Sequence, residues 1–274
     1  MRGTIVYKMT GSGNDFVLID GRAAKPEDWS ADRVVQLCDR RNGVGADGLV
    51  ILSPEGADSV RMIYWNSDGS RAAMCGNAAL CSARLATFLE LVETREICLL
   101  TDAGPVRARS TPGSDRAEIQ VPDFELAAGV PPFDPVPGER WMAFATVGVP
   151  HLVIGVDDID GIDLMGRGRS LRYDGRLGVA GANVNFVAEP VHPGEPWLIR
   201  TYERGVEGET LACGTGTVAS GVAVAARGAA SLPARFTSRG GEELLVRADV
   251  RGRRASDVWL GGQGKLVFRA VWEG

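Results

Sequence analysis

Short stretches of alternating apolar and polar residues dominate the chain, and this pattern predicts a fold rich in strands. Residues 4–9 and 16–19 have strand character, with a polar, glycine-containing turn between them. Two other stretches are apolar on most sides, residues 78–91 and 218–230, which is typical of buried helices. Each follows a cysteine that comes just after a polar turn.

The two cysteines, Cys75 and Cys213, have the same series of landmarks before them. The corresponding residues, with their distances before the cysteine, are Asn14 (61) and Val149 (64), Asp47 (28) and Asn183 (30), and Asn66 (9) and Glu203 (10). We therefore predict an α/β (α+β) fold of two pseudo-symmetric halves. Each half is a mostly antiparallel sheet wrapped around a central buried helix, and the active site is expected in the cleft between them. The proline-rich segment 130–137 is the best candidate for a linker.

Composition excludes several classes of function. The chain has 274 residues, a formal net charge of −5 and a pI near 5.3, which argues against nucleic acid or an anionic membrane as partner. Segment 43–48 matches the pattern GxGxxG, but it follows a predicted helix and leads into a strand. That order is the reverse of a dinucleotide fingerprint.

Cysteine usage indicates free thiols in a reducing cytoplasm. Five cysteines is an odd number, their spacing contains no CxxC pair, and the N-terminal residues do not resemble a signal peptide. With only two histidines, His151 and His192, a zinc site built on Cys75 and Cys81 would lack a second pair of ligands. We expect no metal and no cofactor.

The placement of Cys75 and Cys213 at helix starts suggests their chemistry. A helix N-terminus lowers the pKa of a thiol from its usual value of about 8.5 and provides N–H groups for a carboxylate. If the two helix ends face each other, one thiol lies on each face of an amino acid's α-carbon, so one can remove a proton while the other donates one. The alternative is that both are core residues, which is the common role of a lone cysteine. Two cysteines at matching positions beside glycines favour the catalytic interpretation.

Short motifs along nearly the whole chain resemble the diaminopimelate epimerase family. They are GSGNDF at 11–16, NSDGS at 66–70, MCGN at 74–77, PH at 150–151, NVNF at 183–186, YERG at 202–205 and ACGTG at 212–216. The resemblance implies an isomerase that interconverts LL- and meso-2,6-diaminopimelate without pyridoxal, in the synthesis of lysine and peptidoglycan precursors. It also implies that residues 264–274 return to an N-terminal half of residues 1–120, and that residues 121–263 form the C-terminal half.

The same resemblance implies roles for individual residues. The catalytic set is Cys75 and Cys213 as the acid/base pair, with His151 and Glu203 as supports. The implied substrate contacts are Asn14, Asn66, Gly76, Asn77, Asn183, Glu203, Arg204, Gly214 and Thr215. Family members are commonly homodimers, and Phe268 falls where an aromatic residue is used at that interface.

Three departures from the family pattern bear on substrate specificity. Ala78, Ala79 and Leu80 follow Asn77 where the family usually has CGNGxRC, Val149 replaces an Asn, and Gly48 stands where some members have Gln. A racemase of proline or hydroxyproline type, a non-catalytic amino-acid-binding protein and a thiol-dependent redox protein remain as alternatives.

Overall fold

The computed structural model describes residues 3–274, which form two compact units. Unit 1 comprises the residues up to 120 together with 261–274, and unit 2 comprises residues 121–260. The first part of the chain contains β1 (Thr4–Gly11), β2 (Asn14–Asp20), a 3-10 turn (Pro26–Asp28), α1 (Ala31–Cys38), β3 (Gly48–Pro54), β4 (Ser59–Asn66), β5 (Arg71–Ala72), α2 (Gly76–Phe88), β6 (Glu96–Thr101), β7 (Gly104–Ser110) and β8 (Arg116–Val121).

The second part repeats this order with small additions. It contains β9 (Phe124–Glu125), β10 (Glu139–Val147), β11 (Val149–Val156), a π-helical turn (Leu164–Gly168) that continues into α3 (Arg169–Arg172), a 3-10 turn (Gly175–Leu177), β12 (Asn183–Ala188), β13 (Trp197–Glu203), β14 (Gly208–Thr210), α4 (Gly214–Ala226), β15 (Ala234–Thr237), β16 (Glu243–Arg251), β17 (Arg254–Gln263) and β18 (Lys265–Trp272).

Unit 1 is built around α2. The helix is short of charge and rich in alanine, and nine of its residues are buried. It packs against β1, β2, β3, β4, β6 and β7. The hairpin β1–β2 is antiparallel, β2 pairs with β3 in parallel, and β18 adds to the free side of β1.

Unit 2 is built in the same way around α4, whose sequence GTGTVASGVAVAA is small and apolar on every side. A helix with no polar face is stable only when it is enclosed, and α4 packs against β10, β11, β12 and β16. The hairpin β10–β11 and the parallel pair β11–β12 repeat the pattern of unit 1. The predicted fold class is confirmed: sheets dominate, and each unit has one central buried helix.

Strand register makes the correspondence between the units specific. Phe16 lies beside Gly48 in the parallel pair of unit 1, and His151 lies beside Asn183 in that of unit 2. The structural counterpart of Asn183 is therefore Gly48, one residue after the Asp47 that sequence spacing indicated. Since successive strand residues point to opposite faces, this one-residue difference decides which side chain corresponds.

Two local expectations were wrong. Segment 130–137 does not link the units, because it lies inside unit 2, where Val130 and Phe133 pack against a core cluster. The sequence GVPH at 148–151 predicts a turn, but His151 is the third residue of strand β11 and is fully buried.

Candidate functional site

Cys75 and Cys213 occupy the same position in the two units, the N-cap of the central helix. Both have extended backbone angles, with φ of −140° at Cys75 and −128° at Cys213, and the carbonyl of each accepts the first helical hydrogen bond at 2.9 Å. All five cysteines carry reduced thiols. Both thiols therefore lie at helix starts, as the sequence predicts.

The environment of Cys213 does not favour a resting thiolate. Burial, with a smaller contribution from the Glu203 carboxylate, raises the pKa of its thiol to about 12, against the opposing effect of the Gly216 backbone N–H and the Thr215 hydroxyl. The expectation that a helix N-terminus would lower this pKa is wrong in its net direction, because loss of hydration outweighs two hydrogen bonds. Cys213 is a protonated thiol at neutral pH.

A row of polar side chains leads away from Cys213 into unit 2. Cys213 Sγ lies 3.9 Å from Thr215 Oγ1, which lies 3.0 Å from His151 Nε2. Behind the imidazole, Asn185 Nδ2 is 3.3 Å from His151 Nδ1 and donates to the Leu152 carbonyl at 3.1 Å. Thr201 donates to Asn185 Oδ1 at 3.0 Å. The predicted residues Cys213, Thr215 and His151 are therefore in one hydrogen-bonded row.

His151 is neutral at physiological pH. Burial, with a smaller contribution from the positive charge of Arg204, lowers the pKa of its imidazole to about 3. A neutral imidazole has one donor and one acceptor nitrogen, so it transmits hydrogen-bond direction without adding charge.

Asn183, Glu203 and Arg204 come together at the end of the neighbouring strands. Asn183 Oδ1 accepts a hydrogen bond of 2.7 Å from the Arg204 backbone N–H, which fixes the turn after β13. Burial raises the pKa of the Glu203 carboxyl above its usual value, with the Thr210 hydroxyl opposing it. These three predicted residues provide a carboxyl, a guanidinium and an amide within one short region of unit 2.

In unit 1 the corresponding row begins at Asn77, two residues after Cys75. Asn77 Nδ2 donates to Asn14 Oδ1 at 2.8 Å, and Asn14 Nδ2 donates to Asp47 Oδ2 at 2.8 Å. Because the carboxylate can only accept, the orientation of both amides follows from it. The predicted contacts Asn14 and Asn77 are therefore held together by a hydrogen bond, and Asn77 lies two residues beyond Cys75 in α2.

Asp47 belongs to a charged cluster. Arg40 Nη2 lies 2.7 Å from Asp47 and 2.6 Å from Asp15, and Lys8 Nζ lies 2.6 Å from Asp15 and also bonds the Gly45 carbonyl. Burial raises the pKa of Asp15, but hydrogen bonds from Arg40 and Lys8 outweigh it and lower the pKa to about 2. Asp15 is therefore ionised over the whole physiological range. We call Lys8, Asp15, Arg40 and Asp47 the charged rim of unit 1.

Asn66 bonds to residues other than the Asn14–Asn77 pair. Its amide oxygen accepts from Tyr64 at 3.0 Å and its amide nitrogen donates to Ser70 at 3.0 Å, so it shapes the turn that follows β4. The glycines after the two cysteines differ. A Cβ on Gly76 would meet only Ile119, at 3.6 Å, whereas a Cβ on Gly214 would lie 2.7 Å from Leu260.

Sequence reasoning gave no role to Asn185, Asp47 or Thr201. The NVNF motif offered a signal for Asn185, because residues two apart on a strand share a face, so Asn183 and Asn185 point the same way. Asp47 and Thr201 gave no such signal, since their roles follow from pairing between distant strands.

Among residues 3–274, no three side chains of His, Cys, Asp or Glu are grouped as a metal ion would require. Within the same residues, no helix combines the length and apolar character needed to cross a bilayer.

Comparisons with known proteins agree with the geometry. The family model for diaminopimelate epimerase matches residues 6–121 and 143–255. A diaminopimelate epimerase from Gemmatimonas aurantiaca is 42% identical over 273 residues, covering 96% of each chain. A phenazine biosynthesis protein of the PhzF family from Bacillus anthracis superposes with a TM-score of 0.69 at 12% identity, covering 98% of this chain and 99% of that one.

A further structural neighbour is a hydroxyproline epimerase from Agrobacterium vitis, with a TM-score of 0.62, 19% identity and coverage of 98% of this chain and 91% of that one. At such low identity these two structures show a common fold and no more. The family match and the close relative identify the sequence itself: the chain belongs to the diaminopimelate epimerase family.

Proposed function

We propose that the protein interconverts LL- and meso-2,6-diaminopimelate by a two-base mechanism in which Cys75 and Cys213 act on opposite faces of one α-carbon. The observation that carries this proposal is the presence of a thiol at the N-cap of each of two corresponding buried helices. Such helix ends offer N–H groups to a carboxylate, where negative charge develops as the α-proton leaves.

The protonated thiol of Cys213 indicates which cysteine acts as the acid in the first direction of the reaction. Its thiol is protonated in the free protein, so it enters as the acid when Cys75 removes the proton, and the roles reverse in the opposite direction. We assign His151 and Glu203 as supports of this pair. We assign the substrate contacts to Asn14, Asn66, Gly76, Asn77, Asn183, Glu203, Arg204, Gly214 and Thr215.

Proton exchange at the α-carbon tests the proposal. The protein is incubated with LL-diaminopimelate in D2O, and loss of the α-proton signal is followed by NMR. We expect exchange, and we expect Cys75→Ser and Cys213→Ser each to slow it by at least about 100-fold. Cys98→Ser, which removes a partly buried thiol on β6, is the matched control and should exchange at the wild-type rate.

Absence of exchange by the wild type, or exchange unaffected by both active substitutions, contradicts the proposal. Exchange of proline or trans-4-hydroxyproline in place of diaminopimelate would assign the protein to the racemase alternative. Binding of diaminopimelate without any exchange would indicate a binding protein.

We propose further that the protein works as a homodimer in the cytoplasm, supplying lysine and peptidoglycan precursors, with Phe268 at the interface. Four large apolar side chains on β1 and β18 are exposed: Ile5 (49%), Val267 (53%), Phe268 (44%) and Val271 (58%). Light scattering should give twice the chain mass of 29.1 kDa, and Phe268→Asp should shift the mass to that of one chain. A monomeric wild type contradicts the assignment.

A further inference from the structure

Behind Thr215, unit 2 contains a set of uncharged polar side chains that are sealed from solvent. His151 and Asn185 are fully buried and Thr201 is 3% exposed. A buried polar group is stable only when its hydrogen bonds are satisfied, so the donors and acceptors of this set must be matched along its length.

The orientation of the Asn185 amide is settled by a backbone carbonyl. Asn185 Nδ2 lies 3.1 Å from the Leu152 oxygen, which can only accept. The reversed amide would place two oxygens against each other. The opposite side of the amide, Oδ1, accepts from Thr201. Asn185 therefore presents an N–H, rather than an oxygen, to His151.

The tautomer of His151 follows from that N–H. Because Asn185 Nδ2 donates towards His151 Nδ1 at 3.3 Å, Nδ1 must be the acceptor nitrogen. The proton of the neutral ring then resides on Nε2, which donates to Thr215 Oγ1 at 3.0 Å. With its oxygen occupied as acceptor, the Thr215 hydroxyl directs its own proton elsewhere, and Cys213 Sγ lies 3.9 Å away.

We propose that Asn185 is a positioning residue that fixes the tautomer of His151 and so turns the hydroxyl proton of Thr215 towards the sulfur of Cys213. Asn185 is fully buried, and its side chain bonds to His151, Leu152 and Thr201. It acts through His151 and Thr215, and its effect is to give Cys213 a hydrogen-bond donor whenever the sulfur carries negative charge. This inference rests on the proposed function, since Cys213 becomes a thiolate only during proton transfer.

Gly216 provides the room for this arrangement. A Cβ at Gly216 would collide with Asn185 Oδ1 and would lie 3.2 Å from Cys213 Sγ. Glycine is a weaker helix former than alanine, and at Gly216 the reason for it is packing, since a methyl group would not fit beside Asn185. The space beside Gly216 is filled by the amide that orders the row.

Histidine nitrogen NMR tests the proposal without reference to activity. The chain has two histidines, and His192 is exposed, so a protein labelled with ¹⁵N-histidine gives two sets of ring signals that His192→Gln assigns. We expect His151 in the wild type to carry its proton on Nε2 with Nδ1 bare. In Asn185→Val we expect this preference to be lost, and in Thr215→Val we expect it to remain.

Kinetics supply the second measurement. Asn185→Val should lower kcat about 10- to 100-fold, the worth of one hydrogen bond to a charged group, with KM changed less than about 3-fold because Asn185 is fully buried. The double variant Asn185→Val/Thr215→Val should be no slower than Thr215→Val, since both changes remove the same donor. Thr217→Val removes a buried hydroxyl on the same helix that faces the Cys213 carbonyl, and it should change neither readout.

A proton on Nδ1 of His151 in the wild type overturns the inference, and that spectrum decides the matter even if Asn185→Val does not fold. The inference is also overturned if the kcat losses of Asn185→Val and Thr215→Val multiply in the double variant. An Nε2 proton in a wild type that exchanges no α-proton would contradict the proposed function while leaving this hydrogen-bond order intact.

Discussion

The two central helices begin in the same way, but the strands packed against them differ in chemistry. Strand register places Phe16, Val50 and Tyr64 of unit 1 at the positions of His151, Asn185 and Thr201 in unit 2. In unit 1 the rings of Phe16 and Tyr64 meet edge to face with centroids 6.0 Å apart, and Val50 is fully buried. In unit 2 the three side chains form a hydrogen-bonded row.

The helices adapt to this difference at one residue. Ala78, three positions after Cys75, is fully buried, whereas the corresponding residue after Cys213 is Gly216, which leaves space for an amide. In unit 1 the polar side chains that follow Cys75 are instead Asn77, Asn14 and Asp47. Asn77 donates to Asn14, and Asn14 donates to Asp47 of the charged rim. The repeated backbone specifies where each thiol lies, and the neighbouring strands specify what surrounds it.

The largest expected effect is a loss of stability in acid that depends on His151. Its pKa is about 3 in the folded protein, against 6.5 when exposed, so between these values the unfolded chain binds the extra proton. Stability therefore falls as pH falls through this range, by about 3 kcal/mol between pH 7 and pH 4.

Urea unfolding at several pH values measures this loss. His151→Gln should lack the corresponding part of the pH dependence, whereas His192→Gln, at an exposed position, should keep it. Equal slopes for the wild type and His151→Gln would show that the imidazole is not responsible.

An intermediate effect is expected from exchanging the residues that differ between the helix starts. Gly216→Ala should destabilise the protein by about 1–3 kcal/mol, because its methyl group collides with Asn185. Adding Asn185→Val recreates the Val50 and Ala78 pair of unit 1 and should restore most of the stability without restoring activity. Thermal unfolding measures both. A double variant no more stable than Gly216→Ala would place the clash elsewhere.

The smallest effect is expected from the charged rim of unit 1. The pKa of Asp15 is lowered to about 2, so the stability from its ion pairs is complete above pH 4 and is lost as pH falls through about 2. After allowance for solvent screening this amounts to about 1 kcal/mol. Arg40→Gln should remove part of it in acid unfolding, while Arg22→Gln, which breaks the exposed pair with Asp20, should have little effect.

Sequence pattern was sufficient for the strands, the two buried helices and the position of both cysteines, because each depends on residues close together in the chain. The family resemblance is confirmed by the comparisons. The pattern was insufficient for Asn185 and for the counterpart of Asn183, because both depend on the register between strands. It also gave the wrong direction for the pKa of Cys213. A helix start can be predicted from neighbouring residues, whereas burial of the thiol by distant strands cannot.

The pairing of β1 with β18 has a consequence for how the protein is made. Thr4 lies opposite Trp272 and Lys8 opposite Phe268, and the indole of Trp272 stacks on Trp29 with ring centroids 5.5 Å apart. During synthesis unit 2, whose residues 121–260 are continuous, can leave the ribosome as a whole and fold early. The first strand of unit 1 must wait, with one edge exposed, until the last strand emerges.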